Sequence, residues 1–306
     1  MYRRRYCKGA KAQVQQFRYL VIICVLVAHT VHGLYGMDWP SPNGRMVNNF
    51  GWNDGGSPVL GISFEAEGTI QAAETGELLF MHRGLDTASR LPAPLGAWIA
   101  LDHGDGIISI YSRFDDTRQE EVPKMEKIEK NTPLGEAGLS GSSLRKGFHF
   151  SLFDRKERRW VNPMMIISPP ADTRPPVILS IRMQNTEGKV TDPGQVKAIS
   201  QGRYRISVTA TDTLVAANEN PLAPYRLVCS VNGNEIGALN FETYAARDGV
   251  LMMYRNGLVP VKQIYGPFPA FEVGETWFTR GQVTLEISAL DISGNVQSIL
   301  YRLQVE

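Results

Sequence analysis

The sequence predicts an all-β protein of two domains. Three observations carry that reading. From Trp39 onward, short apolar segments of four to seven residues are broken by turn residues, with almost no helical periodicity. Its 29 glycines and 18 prolines are spread along the chain, as many tight turns require. A stretch holding four prolines, Ser168–Pro176, interrupts the pattern, and strands resume after it. A chain of 306 residues, 43% apolar and 21% charged, is long enough for about two domains, each with its own core.

The amino terminus is read first. Arg3, Arg4, Arg5, Lys8, Lys11 and Arg18 precede any acidic residue and run into the apolar stretch Tyr19–Ala28. A basic segment, a short apolar run and small residues around Gly33 and Gly36 are the parts of a secretory signal. Residues 1–36 are therefore expected to be a signal peptide, cut between His32 and Met37, with an uncleaved marginal anchor as the alternative. The apolar run is too short to span about 30 Å of hydrocarbon comfortably, so no stable membrane span is expected after processing. Cys24 lies inside that run and follows Ile23, where a lipid-attachment signal needs a small residue.

The first domain is expected over 37–168. Its strands are Pro58–Phe64, Ala97–Leu101, Gly106–Tyr111 and Phe148–Phe153, joined by turns at Glu74–Gly76, Asp102–Gly106 and Gly138–Gly141. Arg118–Lys130 is charged and weakly helical, which suits a surface excursion. Residues 169–176 form a stiff extended linker, because proline cannot continue a sheet ladder. Beyond it, Val177–Arg182, Tyr204–Ala210, Val283–Ala289 and Leu300–Val305 alternate as half-buried strands, and Asp291–Asn295 reads as the hairpin into the last one. Residues 177–306 thus predict an immunoglobulin-like antiparallel β-sandwich without a cysteine pair, carrying a long insert around 247–269.

Charge and cysteines narrow the function. Without the six leading basic residues the chain holds 26 basic and 31 acidic residues, a net of −5. A mildly acidic body has no electrostatic footprint for nucleic acid. After the leader only Cys229 remains, so no intramolecular disulfide can form. Its alternation with Leu227 and Val231 predicts a buried structural thiol.

Seven segments of residues 48–167 then match one family in order: Asn49–Trp52, Val59–Ser63, Ile70–Gly76, Ile99–Arg113, Lys130–Gly141, Gly147–Leu152 and Trp160–Pro163. Together they resemble the LytM/lysostaphin-type zinc endopeptidases, which cut peptide cross-bridges in bacterial cell walls. The resemblance implies a LytM-like antiparallel β-sheet domain. It also places the family's H-x-G-x-D metal segment at Val59–Ser63, its Y-x-H at Tyr111–Arg113 and its H-x-H at Gly147–His149.

The chemistry departs from that pattern. A catalytic zinc needs about three protein ligands and an open position for water. The resemblance puts the ligands at Val59, Ser63 and His149. Valine has no lone pair, a neutral serine hydroxyl is a poor ligand, and only His149 is retained. The catalytic imidazoles fall on Gly147 and Arg113, so both are replaced, and Arg113 adds a positive charge beside any cation. No catalytic residue and no cofactor are therefore expected. His82 and His103 are read as solvent-facing or hydrogen-bonded, and Asp102 and Asp105 as too sparse in spaced oxygens for a calcium loop.

What the resemblance leaves is a groove with Val59, Ser63, Arg113, Gly147 and His149 on its floor. There Ser63, Arg113 and His149 are the candidate binding residues, with Arg113 able to pair with a carboxylate of a wall peptide. The competing reading has the cleft filled in and Arg113 facing solvent. The implied role is an exported non-catalytic protein of the periplasm or envelope that binds peptidoglycan or regulates a cell-wall hydrolase. An active zinc-dependent endopeptidase with an atypical site and a purely structural or adhesion module stand as alternatives.

Overall fold

The computed structural model describes residues 36–82, 93–115, 126–214, 220–266 and 269–306. The signal segment, Cys24 and most of Arg118–Lys130 lie outside these residues; of the last, Lys127–Ile128 forms a short strand. Among the described residues the regular structure is strand, apart from two single-turn 3-10 segments, so the all-β expectation holds. No helix among them is long and apolar enough to cross a membrane.

Alternation of side chains along Gly147–Asp154 explains its central place. Phe148, Phe150 and Leu152 face one way into the core and are fully buried, while His149 and Ser151 face the other way. One edge of this strand pairs with Ile107–Phe114. The other edge is shared end to end, by Ile62–Glu65 against 147–150 and by Arg159–Val161 against 152–154. Ala97–Asp102, Gly76–His82 and Lys127–Ile128 continue the sheet on the far side of Ile107–Phe114. Ile62, Leu101, Tyr111, Phe148 and Phe150 fill the core beneath. At the Asp102–Gly106 turn, Gly104, Asp105 and Gly106 all take positive φ, as the sequence requires there.

Beyond the extended linker, two sheets face each other. One has the order Val190–Thr191, Val177–Asn185, Gly202–Thr211, Phe271–Phe278. The other runs Ala198–Ile199, Val296–Val305, Gly281–Leu290, Arg226–Val231, Asn234–Asn240. Their inward residues, among them Ile181, Ile206, Val208, Leu227, Leu285 and Ile287, form one core. Cys229 is buried in it as a free thiol, pushed up to about 12 by burial.

The region read as an insert departs from the sequence reading. Thr243–Arg247, Val250–Tyr254 and Leu258–Pro260 do not decorate the sandwich. Their backbones extend the first domain's sheet to eleven strands, through pairing of Thr243–Ala245 with Arg159–Val161, while Tyr244 and Met253 pack into the sandwich core. Arg159–Val161 would otherwise be an open edge, which folded proteins cover. Cores interpenetrate in the same way: Phe50 joins the sandwich cluster, and Leu222 joins that of the first domain.

Candidate functional site

The site is a row of polar side chains across three neighbouring strands. His149 lies directly opposite Ser63 on one side and Ser112 on the other, and Ser151 follows two residues on along the same face. Period-two alternation puts them there while the opposite face packs aromatic residues into the core. Ser63 and Ser112 are buried, and His149 and Arg113 are part-buried.

Both nitrogens of the imidazole are engaged. Ser63 Oγ lies 2.9 Å from Nδ1, and Ser151 Oγ 3.0 Å from Nε2. Arg113 Nη1 donates to Ser63 Oγ at 3.3 Å. A guanidinium can only donate, so the Ser63 hydroxyl accepts from Arg113, and its own hydrogen and second lone pair are both left to meet Nδ1. A neutral imidazole carries one N–H, so one ring nitrogen donates to its serine and the other accepts from its serine. Arg113, Ser63, His149 and Ser151 thus form one chain of hydrogen bonds that a neutral imidazole satisfies. Burial, and then the charge of Arg113, lower the His149 pKa from 6.5 to about 3. Burial also lowers that of Arg113, offset by the nearby carboxylate of Asp54.

Arg113 reaches this position by a bulge. The register slips between Ala97 and Trp98, which pair with Phe114 and Ser112, so Arg113 faces no residue across the ladder and takes φ +72°. Its backbone is tied to Leu95 and Gly138. The expected alternative, a guanidinium merely facing solvent, is not what this geometry shows.

Gly147 is held between Gly138 and the strand Ile62–Glu65. A Cβ there would stand 1.9 Å from the Phe64 carbonyl oxygen, so the place of an imidazole is occupied by a neighbouring backbone. Gly61 closes the other flank: its Cβ would lie 2.4 Å from Ser151 Oγ and 2.7 Å from His149 Nε2. Val59 is part-buried, its backbone paired with Gly51 and Trp52. Ser63, Arg113 and His149 therefore converge, Gly147 flanks them, and Val59 adds only an aliphatic side chain.

These residues do not fit zinc. His149 is the one imidazole among them, each of its nitrogens already meets a serine hydroxyl, and a positive charge stands behind Ser63. No step through a metal follows from this arrangement.

Two other histidines are accounted for. His103 bridges Thr75 O at 2.9 Å and Ser109 Oγ at 2.6 Å, pinning its turn. His82 ends the strand Gly76–His82, opposite Trp98, and so lies within the sheet. Tyr111, buried in the middle of Ile107–Phe114, accepts the Ala73 amide at 2.9 Å. Ser151 was missed in the sequence. Its only signal was its spacing of two from His149 on a strand.

With this geometry in place, the chain can be set beside known proteins. Three solved structures are similar to it. The SpoIIQ–SpoIIIAH pore-forming complex matches at 17% identity and TM-score 0.35, over 45% of this chain and 95% of that one. A catalytic domain of the prophage-encoded M23 protein EnpA from Enterococcus faecalis matches at 19% identity and TM-score 0.33, over 42% and 95%. The antimicrobial peptidase lysostaphin from Staphylococcus simulans matches at 15% identity and TM-score 0.30, over 83% and 88%. A family model matches residues 175–306, from the end of the proline-rich stretch to the last residue. No curated protein matches the chain.

Proposed function

We propose that this protein is an exported, non-catalytic peptidase-like protein of the cell envelope, which holds peptidoglycan or a wall hydrolase without cutting the wall. The observation that carries the reading is the closed chain of hydrogen bonds through His149. An imidazole whose two nitrogens are both engaged, by Ser63 and by Ser151, with Arg113 behind, is a poor ligand for a cation. Without a metal or a neighbouring base, no water is driven toward hydroxide at neutral pH. The polar row still offers a recognition surface. Arg113 is part-buried and oriented by Ser63, and its remaining donors suit a carboxylate of an acidic wall peptide.

The test combines three measurements on the purified protein. Zinc content after equilibration with zinc is expected to be well below one ion per chain. Cross-linked sacculi are expected to yield no released muropeptides. Wild-type protein is expected to sediment with sacculi, and Arg113→Gln to do so about tenfold less, as the loss of one charged hydrogen-bonding pair implies. One zinc per chain with chelator-sensitive cleavage would restore the endopeptidase reading. Neither cleavage nor sedimentation would take wall binding away and leave a protein partner.

A further inference from the structure

A second polar cluster lies outside the row around His149. Asp172 belongs to the proline-rich linker, Asp212 follows the strand Gly202–Thr211, and Asp291 opens the last hairpin. One carboxylate oxygen from each lies within 4.8 Å of the others. Among the described residues, this is the one group of three or more such side chains that close together.

We infer that Asp172, Asp212 and Asp291 form a calcium-binding site at the junction of linker and sandwich. Calcium takes oxygen ligands at about 2.3–2.6 Å, so two ligands on opposite sides of the ion stand about 4.8 Å apart. The observed spread fits inside that shell. Asp212 and Asp291 are only 7% and 3% exposed, which is rare for carboxylates without a compensating charge. No salt bridge reaches any of the three among the described residues.

The oxygens themselves point to a ligand. Asp172 Oδ2 is buried and has no hydrogen-bond partner. Asp212 accepts one bond, from the Thr213 amide to Oδ1, which leaves its second oxygen for an ion. Asp291 is held in place from behind: Asn295 donates its amide to Oδ1 and its side-chain Nδ2 to Oδ2. The same Nδ2 reaches the Asp172 carbonyl at 3.2 Å, fixing the linker against the hairpin. Asp172, Asp212 and Asp291 are among the residues that line a small cavity of about 20 Å³, room for one small ion or water.

The position gives the ion a task. Asp212 exchanges backbone hydrogen bonds with Leu222, which sits in the first domain's core, and the next residue, Ala223, exchanges two bonds with the Asn49 side chain. A cation on Asp212 therefore locks together the linker, the sandwich and the segment that crosses to the first domain.

The experiment uses the whole chain, stripped with a chelator and titrated calorimetrically with calcium chloride, with magnesium chloride as a parallel arm. One calcium per chain and a rise of several degrees in melting temperature are expected. Asp212→Asn and Asp291→Asn should abolish both, Asp172→Asn should weaken binding about tenfold or more, and the exposed Asp105→Asn should change neither. Asp172 is part-exposed in an irregular segment, so its variant keeps the test valid if the buried ones fail to fold. Absence of heat and of a melting shift at millimolar calcium, tighter binding of magnesium, or an undiminished shift in Asp172→Asn and Asp212→Asn would each overturn the assignment. Wall binding and zinc content play no part in these readouts, so this inference and the proposed function fail separately.

Discussion

A buried imidazole that accepts on one side and donates on the other has a defined protonation state, and that state has a consequence for stability. The unfolded chain takes a proton on His149 near the ordinary value of 6.5, whereas the folded one resists it down to about 3. The unfolded state therefore binds more protons between those values. The neutral imidazole's contribution is complete above about pH 6.5 and is lost as pH falls toward 3, at up to about 1.4 kcal/mol per pH unit. His149→Gln removes the titration. The stability difference, wild type minus variant, is expected to fall below pH 6.5 in urea melts; a flat difference would contradict the buried neutral state. Asp212, raised to about 7, acts with the opposite sign, but it is common to both proteins and cancels in the difference.

Strand spacing, rather than side-chain identity alone, decides what the site can hold. The strands Gly147–Asp154 and Ile62–Glu65 approach so closely at Gly147 that even a methyl group meets the Phe64 carbonyl. Gly147→Ala is expected to destabilise the protein by about 1–3 kcal/mol, the usual cost of overpacking a fixed backbone. Guanidinium denaturation would show it as a lower midpoint at unchanged slope. An unchanged midpoint would mean that the strands part readily and that a larger side chain fits there. That Val59, Ser63, Gly147 and Arg113 offer neither an imidazole nor a carboxylate was legible in the sequence. That the Phe64 backbone closes on Gly147 was not, because the two meet only through register.

At the scale of the whole molecule, the linker does not separate two independent bodies. The first domain's sheet is completed by Thr243–Arg247, Phe50 packs into the sandwich core, and Asn162 Nδ2 donates to the Phe241 carbonyl at 2.8 Å. Tyr265 Oη donates to the Gly51 carbonyl at 2.7 Å across the same junction, and its hydroxyl also meets that of Tyr244. A chain ending at Ile167 would expose Phe50 and leave Arg159–Val161 as a bare edge. It is expected to lack a cooperative melting transition, while residues 37–306 melt in one step with calorimetric and van't Hoff enthalpies equal. Two resolved transitions in the intact protein would show that the domains fold independently.

Local pattern settled the strands, the turns at Asp102–Gly106 and Asp291–Asn295, and the buried thiol. Each depends on residues close together in the chain, whose chemistry and spacing are visible without folding. The partner of Arg159–Val161, the engagement of His149 by Ser63 and Ser151, and the meeting of Asp172, Asp212 and Asp291 were decided by tertiary structure. They join residues from different strands and turns, and only strand register and the packing of one core into the other bring those side chains within reach.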